Sequence, residues 1–427
     1  MAMETQTTHH LLEVLQTEIL ARLPLKTIFR FKSVCKTWKS TIETVYFRRL
    51  FLSLHKNSSS SWSLLDGPYE LIGFHGCKTW DLPNSPASLI PPPFKRYHTH
   101  DFDYVVSSGG LVLIRDGSDN AYCYVGNPVS QEWVKIPPPP SDPTGDGSCA
   151  VCLVTRLDED GVVLSFIVVR LDTVLVLSTE NHFGAFMYSS ETGIWTSKVA
   201  RCPYYISNMF DINLNGTIYY TSLTLPGVVV AHDFYSESEQ FRAVQLPDYP
   251  DYNKDYKRTL SISGGFVMYV RTLARYKETV LKIWRLNNDD DTWHLLWEVG
   301  FLVSGNYVPM AMHPFDIGTV YIWSQRYHHL VSCNLRKGDF TVLGDASNNG
   351  HQDCFIDHSL CKKRVDKIWL PKLSSNLYFN FNVCISFCSF VVPRWMEPVP
   401  RPPKAEMIDT TSLLSYATAN LYKHMRQ

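Results

Sequence analysis

A chain of 427 residues with 45% apolar and 19% charged side chains has material for a large core, and its length exceeds the usual single compact domain. A formal charge of −1 excludes a global pull towards nucleic acid or anionic membrane, and 11 scattered cysteines, an odd number, argue against a disulfide framework. Met1 to His10 is polar with no apolar signal core, and the longest apolar stretch, Val162 to Leu177, contains Arg170 and Asp172 and is too short for a bilayer, so a cytoplasmic or nuclear protein is expected.

The chain opens on helical periodicity. Leu11, Leu12, Leu15, Ile19, Leu20 and Leu23 recur at three- and four-residue spacing and form one apolar stripe. Pro24 ends that helix and can open the next, because a first turn does not need its missing N–H. A second apolar set follows in Ile28, Phe31, Val34, Cys35, Trp38 and Ile42, interleaved with Arg22, Lys26, Arg30, Lys32, Lys36 and Lys39. Short helices in a module of about forty residues cannot bury this surface among themselves, so the remaining stripe must meet a protein partner or the downstream domain. The basic residues invite a DNA-binding reading, but bulky Phe31 and Trp38 share the segment and no base-reading Asn or Gln set accompanies them.

Glu18-Ile19-Leu20-Ala21-Arg22-Leu23-Pro24-Leu25-Lys26, followed by Arg30-Phe31-Lys32-Ser33-Val34-Cys35-Lys36-Thr37-Trp38 and Ile42, closely resembles an F-box of the plant type. The resemblance implies a small all-α three-helix module over residues 11–50 that docks a Skp-type adaptor and, through it, a cullin–RING ubiquitin ligase. It also implies that Leu12, Leu15, Ile19, Leu20, Leu23, Pro24, Ile28, Val34, Cys35 and Trp38 are the docking residues. The family usually opens with Leu-Pro followed by acidic residues; here Leu11-Leu12-Glu13-Val14 puts apolar residues at the Pro and at one acidic position.

Residues 51–61, ending in the run Ser58 to Ser61, read as a linker. Beyond it one unit recurs: an apolar strand, a polar turn, then an aromatic that begins another strand. The copies end at Trp133, Trp195, Phe241, Trp293 and Phe340, 46 to 62 residues apart, close to the period of a β-propeller blade. Further strands are expected at Gly110 to Ile114, Gly216 to Tyr220, Gly265 to Val270 and Gly318 to Trp323, the glycines supplying tight turns. A pair of β-sandwiches is the competing architecture, against which five ordered copies of one unit argue. An all-β propeller over 62–395 is therefore expected, followed by a tail over 396–427 with a short helix between Thr410 and Met425. Strand-like pieces in Ser61 to Leu82 and Val365 to Val392 make seven blades if separate, and six if they combine to close the ring. Seven is the favoured count. The stretch also resembles the F-box-associated, kelch-like propeller domains of plants, through Asn215-Gly216, Lys282-Ile283-Trp284-Arg285-Leu286 and His313-Pro314-Phe315-Asp316.

With strands a to d in each blade, the aromatic-ended turns join c to d, so the b–c and d–a loops share the opposite face. Those loops are rich in Tyr, Arg and His: Tyr204, Tyr205, Tyr249, Tyr252, Tyr256, Arg271, Arg275, Tyr276, Arg326, Tyr327 and His328. Tyr and Arg dominate binding hot spots, so this face is expected to receive a target protein. Catalytic chemistry is not expected. No phosphate-binding or dinucleotide glycine loop is present, and Cys149 with Cys152, or Cys384 with Cys388, lack a partner pair at zinc spacing. His98, His100, Asp101 and Asp103 read as a solvated blade-entry loop. The combined expectation is a non-catalytic substrate receptor of a ubiquitin ligase with no cofactor, no metal, and neither nucleic acid nor membrane as partner. A ligase-independent scaffold and a ligand-binding propeller are the alternatives.

Overall fold

A computed structural model of the chain describes residues 13–55, 61–67, 69–74, 85–90, 102–116, 122–140, 150–172, 182–202, 206–222, 227–248, 256–275, 278–301, 306–343, 354–369, 384–385, 387–393, 395 and 398–409. The N-terminal module comprises α1 (residues 13–20), α2 (Leu25–Phe31), α3 (Lys36–Ile42) and α4 (Val45–Leu54). Pro24 stands immediately before α2. The Cys35 sulfur accepts from Trp38 N at 3.4 Å to cap α3, and Thr44 Oγ1 accepts from Phe47 N at 3.1 Å to cap α4. The fourth helix uses residues 51–54, which the sequence reading had given to a linker, and Phe51 on it is fully buried.

The remaining described residues form a ring of six sheets, each a blade, antiparallel apart from one short strand in blade 5. Blade 1 holds Trp62–Asp66, Tyr69–Phe74, Cys354–Ile356 and Cys388–Val391. Blade 2 holds Phe102–Ser108, Leu111–Asp116, Cys123–Asn127, Glu132–Ile136 and Glu406–Asp409. Blade 3 holds Ala150–Leu157, Val163–Asp172, His182–Ser189 and Trp195–Arg201, and blade 4 holds Ile206–Leu214, Thr217–Ser222, Val228–Asp233 and Arg242–Gln245. Blade 5 holds Tyr256–Ser263, Phe266–Ala274, Thr279–Asn287 and Thr292–Phe301, with Cys384–Ile385 added in parallel beside its innermost strand. Blade 6 holds Tyr307–Met312, Thr319–Ser324, His329–Asn334 and Asp339–Leu343.

Strand alternation gives each blade two buried faces. In blade 3, Val151 and Leu153 pack against blade 2, while Cys152 and Val154 pack against blade 4. In blade 5, Val267 and Tyr269 meet blade 4 while Met268 and Val270 meet blade 6. This explains why the strands read as nearly continuous apolar runs rather than polar–apolar alternation.

The ring has six blades, not seven, because the two flanking segments merge. Two strands from residues 62–74 lie between an outer strand at 354–356 and an inner strand at 388–391, so both ends of the ring build blade 1. Val365, expected to begin a strand, lies instead in the helix α5 (His358–Trp369), buried against blades 1 and 6. Glu406–Asp409 adds an outer strand to blade 2, so ring material extends beyond residue 395. The expected tail helix lies outside the described residues.

The recurring aromatic has a local cause. Gln131, Gly193, Asp291 and Gly338 all adopt positive φ (57° to 71°), and each stands two residues before the aromatic of its unit. Gln131 N to Asn127 O (2.9 Å), Gly193 N to Ser189 O (2.8 Å) and Gly338 N to Asn334 O (2.8 Å) close the same five-residue turn, a hairpin with a left-handed bulge position. Gly126 pairs across from fully buried Trp133, where a Cβ would come within 2.4 Å of the indole.

The a–b and c–d turns form one face of the ring, here the lower, and the helical module sits on it. Trp395, just beyond the inner strand of blade 1, enters the module's core with its ring centroid 5.2 Å from Phe51, 5.9 Å from Phe29 and 6.0 Å from Phe47. Val129, Val162 and Val392 complete the contact. Arg48 Nη2 reaches Asp160 Oδ2 at 2.8 Å and Asp158 Oδ2 at 3.2 Å on the blade 3 a–b turn. Desolvation pushes the Asp160 carboxyl up, but hydrogen bonds and charge from Arg48 and Arg49 outweigh it and hold the group below its ordinary value.

Two outcomes follow from this packing. Trp395→Ala removes the indole that Phe29, Phe47 and Phe51 share and should cost about 3–5 kcal/mol. Hydrogen exchange should then rise in α2 and α4 while blades 4 to 6 keep their protection. His232 is buried, its ring stacked on Phe241 at 4.5 Å and edge-on to Phe234 at 4.7 Å, and burial pushes its imidazole down to about 4. Below its ordinary 6.5 the unfolded chain takes up a proton that the fold refuses, so stability should fall as pH drops from 6.5 to about 4. Denaturant midpoints across that range should show a loss of up to about 3 kcal/mol that His232→Gln flattens.

Candidate functional site

Two surfaces stand out, one on the helical module and one on the opposite face of the ring. On α1, Leu15 and Ile19 lie four residues apart on one side and are 51% and 62% exposed, while Leu20 turns inward with Ala21. Val34 is 59% exposed and Cys35 is also exposed, at the junction of α2 and α3. Leu23, Pro24 and Trp38 are half-buried, the Trp38 ring lying 5.1 Å from Phe31. Ile28 is fully buried and, with Leu20, belongs to the module's own core. Leu12 lies outside the described residues. The expected docking set thus divides into side chains that face solvent and side chains that hold the module together. Sequence reasoning missed Val14, Val45 and Tyr46, all exposed apolar residues. Val45 and Tyr46 begin α4, beyond the two apolar sets that end at Ile42.

On the upper face, Tyr204, Tyr205, Tyr249, Tyr252 and Tyr276 lie outside the described residues. Tyr256 and Arg271 are buried rather than presented to solvent. Asp248 explains this: its Oδ2 accepts from Tyr269 Oη at 2.8 Å and meets Arg271 Nη1 at 3.2 Å and Arg258 Nη2 at 3.3 Å. The Arg271 guanidinium also lies 4.3 Å from the Tyr256 ring. This is an internal network that ties strands of blade 5 to the incoming connection. Arg275 is exposed and bound to Glu278 at 3.1 Å across the b–c turn of blade 5. Arg326, Tyr327 and His328 occupy the b–c turn of blade 6 and are all exposed.

Among the described residues no group of three or more His, Cys, Asp or Glu side chains could hold a metal ion. Cys152 packs in the core between blades 3 and 4, and Cys388 accepts from Ser107 N at 3.1 Å. Cys149, His98, His100 and Asp101 lie outside the described residues, as do the side chains of Asp103 and Cys384. No described helix is long and apolar enough to cross a membrane.

Comparison with known proteins covers both parts. An F-box domain description matches residues 9–50, and the description "F-box protein At3g26010-like, beta-propeller" matches residues 60–401. The chain is 50% identical to F-box protein At3g26010 of Arabidopsis thaliana, over 98% of this chain and 97% of that one. It is 45% identical to the putative F-box/kelch-repeat protein At4g22430 of the same plant, over 96% and 97%, and 38% identical to its F-box protein At1g49990, over 91% and 97%. The likeness therefore runs through the seated helices and the whole ring, and the chain belongs to the F-box proteins with an At3g26010-like β-propeller.

Proposed function

We propose that this protein is the substrate-recognition subunit of an SCF-type ubiquitin ligase, its F-box binding a Skp-type adaptor and its propeller holding a target protein. The observation that carries the reading is the placement of Leu15, Ile19 and Val34: apolar, exposed, and on a module whose other apolar side is already closed by Trp395. A small module with that much uncovered apolar surface fits a protein partner. Leu15, Ile19, Val34, Cys35 and Trp38 would touch the adaptor, with Leu20 and Ile28 supporting them from inside. The target would sit on the upper face, directed away from the adaptor. Such a subunit needs no reactive side chain, since tethering alone converts a bimolecular encounter into a local one. It would work in the cytoplasm or nucleus.

The test is a titration of the full-length chain with a purified plant Skp-type adaptor. Full length is required because Trp395 completes the F-box core. Ile19→Glu combined with Val34→Glu should weaken binding more than a hundredfold, by burying charge in an apolar contact, while leaving the denaturation midpoint unchanged. Leu20→Ala should lower that midpoint by about 2–5 kcal/mol of stability, as a core truncation does. Absence of adaptor binding by the folded wild type would assign the F-box, with Leu12 in place of the usual Pro, to a ligase-independent scaffold.

A further inference from the structure

The upper rim where blade 6 meets α5 carries a rigid cationic and aromatic surface that ring packing does not require. The turn joining Thr319–Ser324 to His329–Asn334 repeats the five-residue build of the c–d turns, with His328 N bound to Ser324 O at 2.9 Å. Its left-handed position is His328 (φ 54°), a conformation uncommon for any residue other than glycine. Three contacts hold it. Ser324 Oγ accepts from Tyr327 N at 3.3 Å, Gln325 N donates to Asn306 O at 2.9 Å, and His328 O lies 3.2 Å from His358 Nδ1 at the start of α5.

The fixed turn stacks its side chains outward. Tyr327 and His329 lie parallel, 5.6 Å apart at an interplanar angle of 8°, and the Arg326 guanidinium lies 5.3 Å from the Tyr327 ring. Tyr327 is nonetheless 51% exposed. The residue just before the left-handed position is Ser130, Thr192, Asp290 or Lys337 in the other turns of this build, polar each time. Among the described turns with a left-handed position before an anchor, this one carries a large aromatic at the tip, and the buried anchor two residues after the bulge position is Leu330, not the tyrosine.

The adjoining helix adds mostly positive charge, with Lys362, Lys363, Arg364 and Lys367 against Asp366. Cys361 and Val365 face the core, Arg364 pairs with Asp66 on the blade 1 flank, and His358 faces the blade 6 turn at 5.9 Å from Trp323. Lys362 lies one helical turn beyond His358 on that same flank, with exposed Lys363 beside it. Among the described residues of this stretch, Asp357 is engaged as the cap of α5, accepting from Leu360 N at 2.8 Å, and Asp366 is the one acidic residue within the helix. The N-terminal residue of α5, at the positive end of its dipole, lies beside the turn, His358 Nδ1 being 3.2 Å from His328 O.

We propose that this rim is where the propeller grips its target, through an acidic peptide segment that also carries an apolar or aromatic residue. Carboxylates would pair with Arg326 and Lys362, and a flat or apolar side chain would lie against Tyr327. The proposal rests on the substrate-receptor reading above and names the chemistry of the target. A protein segment suits the surface better than a nucleic acid does, because the cationic groups form a short cluster beside exposed Tyr327 rather than a backbone-tracking stripe.

Random twelve-residue peptides displayed on phage would be selected on the immobilised full-length protein. Enriched sequences should carry Asp or Glu beside an aromatic or apolar residue, and their binding should weaken with added salt. Arg326→Ala with Lys362→Ala should reduce capture about tenfold, as loss of charge-assisted hydrogen bonds does, and Tyr327→Ala should reduce it independently. Adaptor binding, measured on the same preparations, should be unchanged because the F-box occupies the other face. Enrichment without acidic bias, no enrichment, or equal capture by the variants would overturn the proposal, as would displacement of the peptides by single-stranded DNA that binds more tightly than they do. Failure of the wild type to bind the adaptor, with acidic selection intact, would instead remove the ligase reading and leave an acidic-peptide receptor.

Discussion

Everything in this molecule depends on each blade being buried from both sides. A twisted four-stranded sheet with one wet face can survive on a single apolar side; a sheet standing between two neighbours cannot leave either side polar. Val151 and Leu153 face one way and Cys152 and Val154 the other, and the same division recurs in blade 5 with Val267 and Tyr269 against Met268 and Val270. No blade has a core of its own. Removing one would strip two interfaces, so the ring gains its stability only on closure.

Closure explains features that look unrelated along the chain. Blade 1 takes strands from residues 62–74 and from 354–356 and 388–391, and a strand at 406–409 braces the outside of blade 2. Between the strands at 388–391 and 406–409 lies Trp395, which inserts between Phe29, Phe47 and Phe51. The same C-terminal stretch that completes the ring therefore completes the helical module. With Arg48 held by Asp158 and Asp160, the module is fastened to the ring at two separate places. The distance and angle between its exposed apolar side and the upper rim are set by packing rather than by a linker.

The parts legible in the sequence were those encoded by local chemistry. The Leu-Pro-Leu-Lys and Val-Cys-Lys-Thr-Trp spacing marked the module, and an aromatic two residues after a left-handed turn position marked blade after blade. The blade count was not legible, because a strand at 388–391 looks the same whether it opens a seventh blade or closes the first. Periodicity could not sort Leu20 from Ile19 either: both lie on the apolar side of α1, and only the position of the next helix decides which is covered. Tyr256 and Arg271 read as loop residues for binding, yet Asp248, far enough along the chain to carry no local signal, draws Arg271 into the interior. Trp395 sits between prolines after the last expected strand, with nothing in its neighbourhood to show that its partners are near the N-terminus.

That separation has a consequence for how the protein is made. The helices are synthesised first, and the indole that fills their core is synthesised only after all of the ring's inner strands. At roughly 5–20 residues per second, the ribosome needs on the order of half a minute to pass from Phe51 to Trp395. Throughout that interval the nascent helices lack the side chain that holds Phe29, Phe47 and Phe51 together, and the wall of the ring they rest on is still being laid down. The module thus reaches its finished shape only in a chain whose propeller has also been completed. Truncated products, lacking the last few dozen residues, would carry an unfinished adaptor-binding module along with an open ring, and would be kept out of the assembly by the same omission.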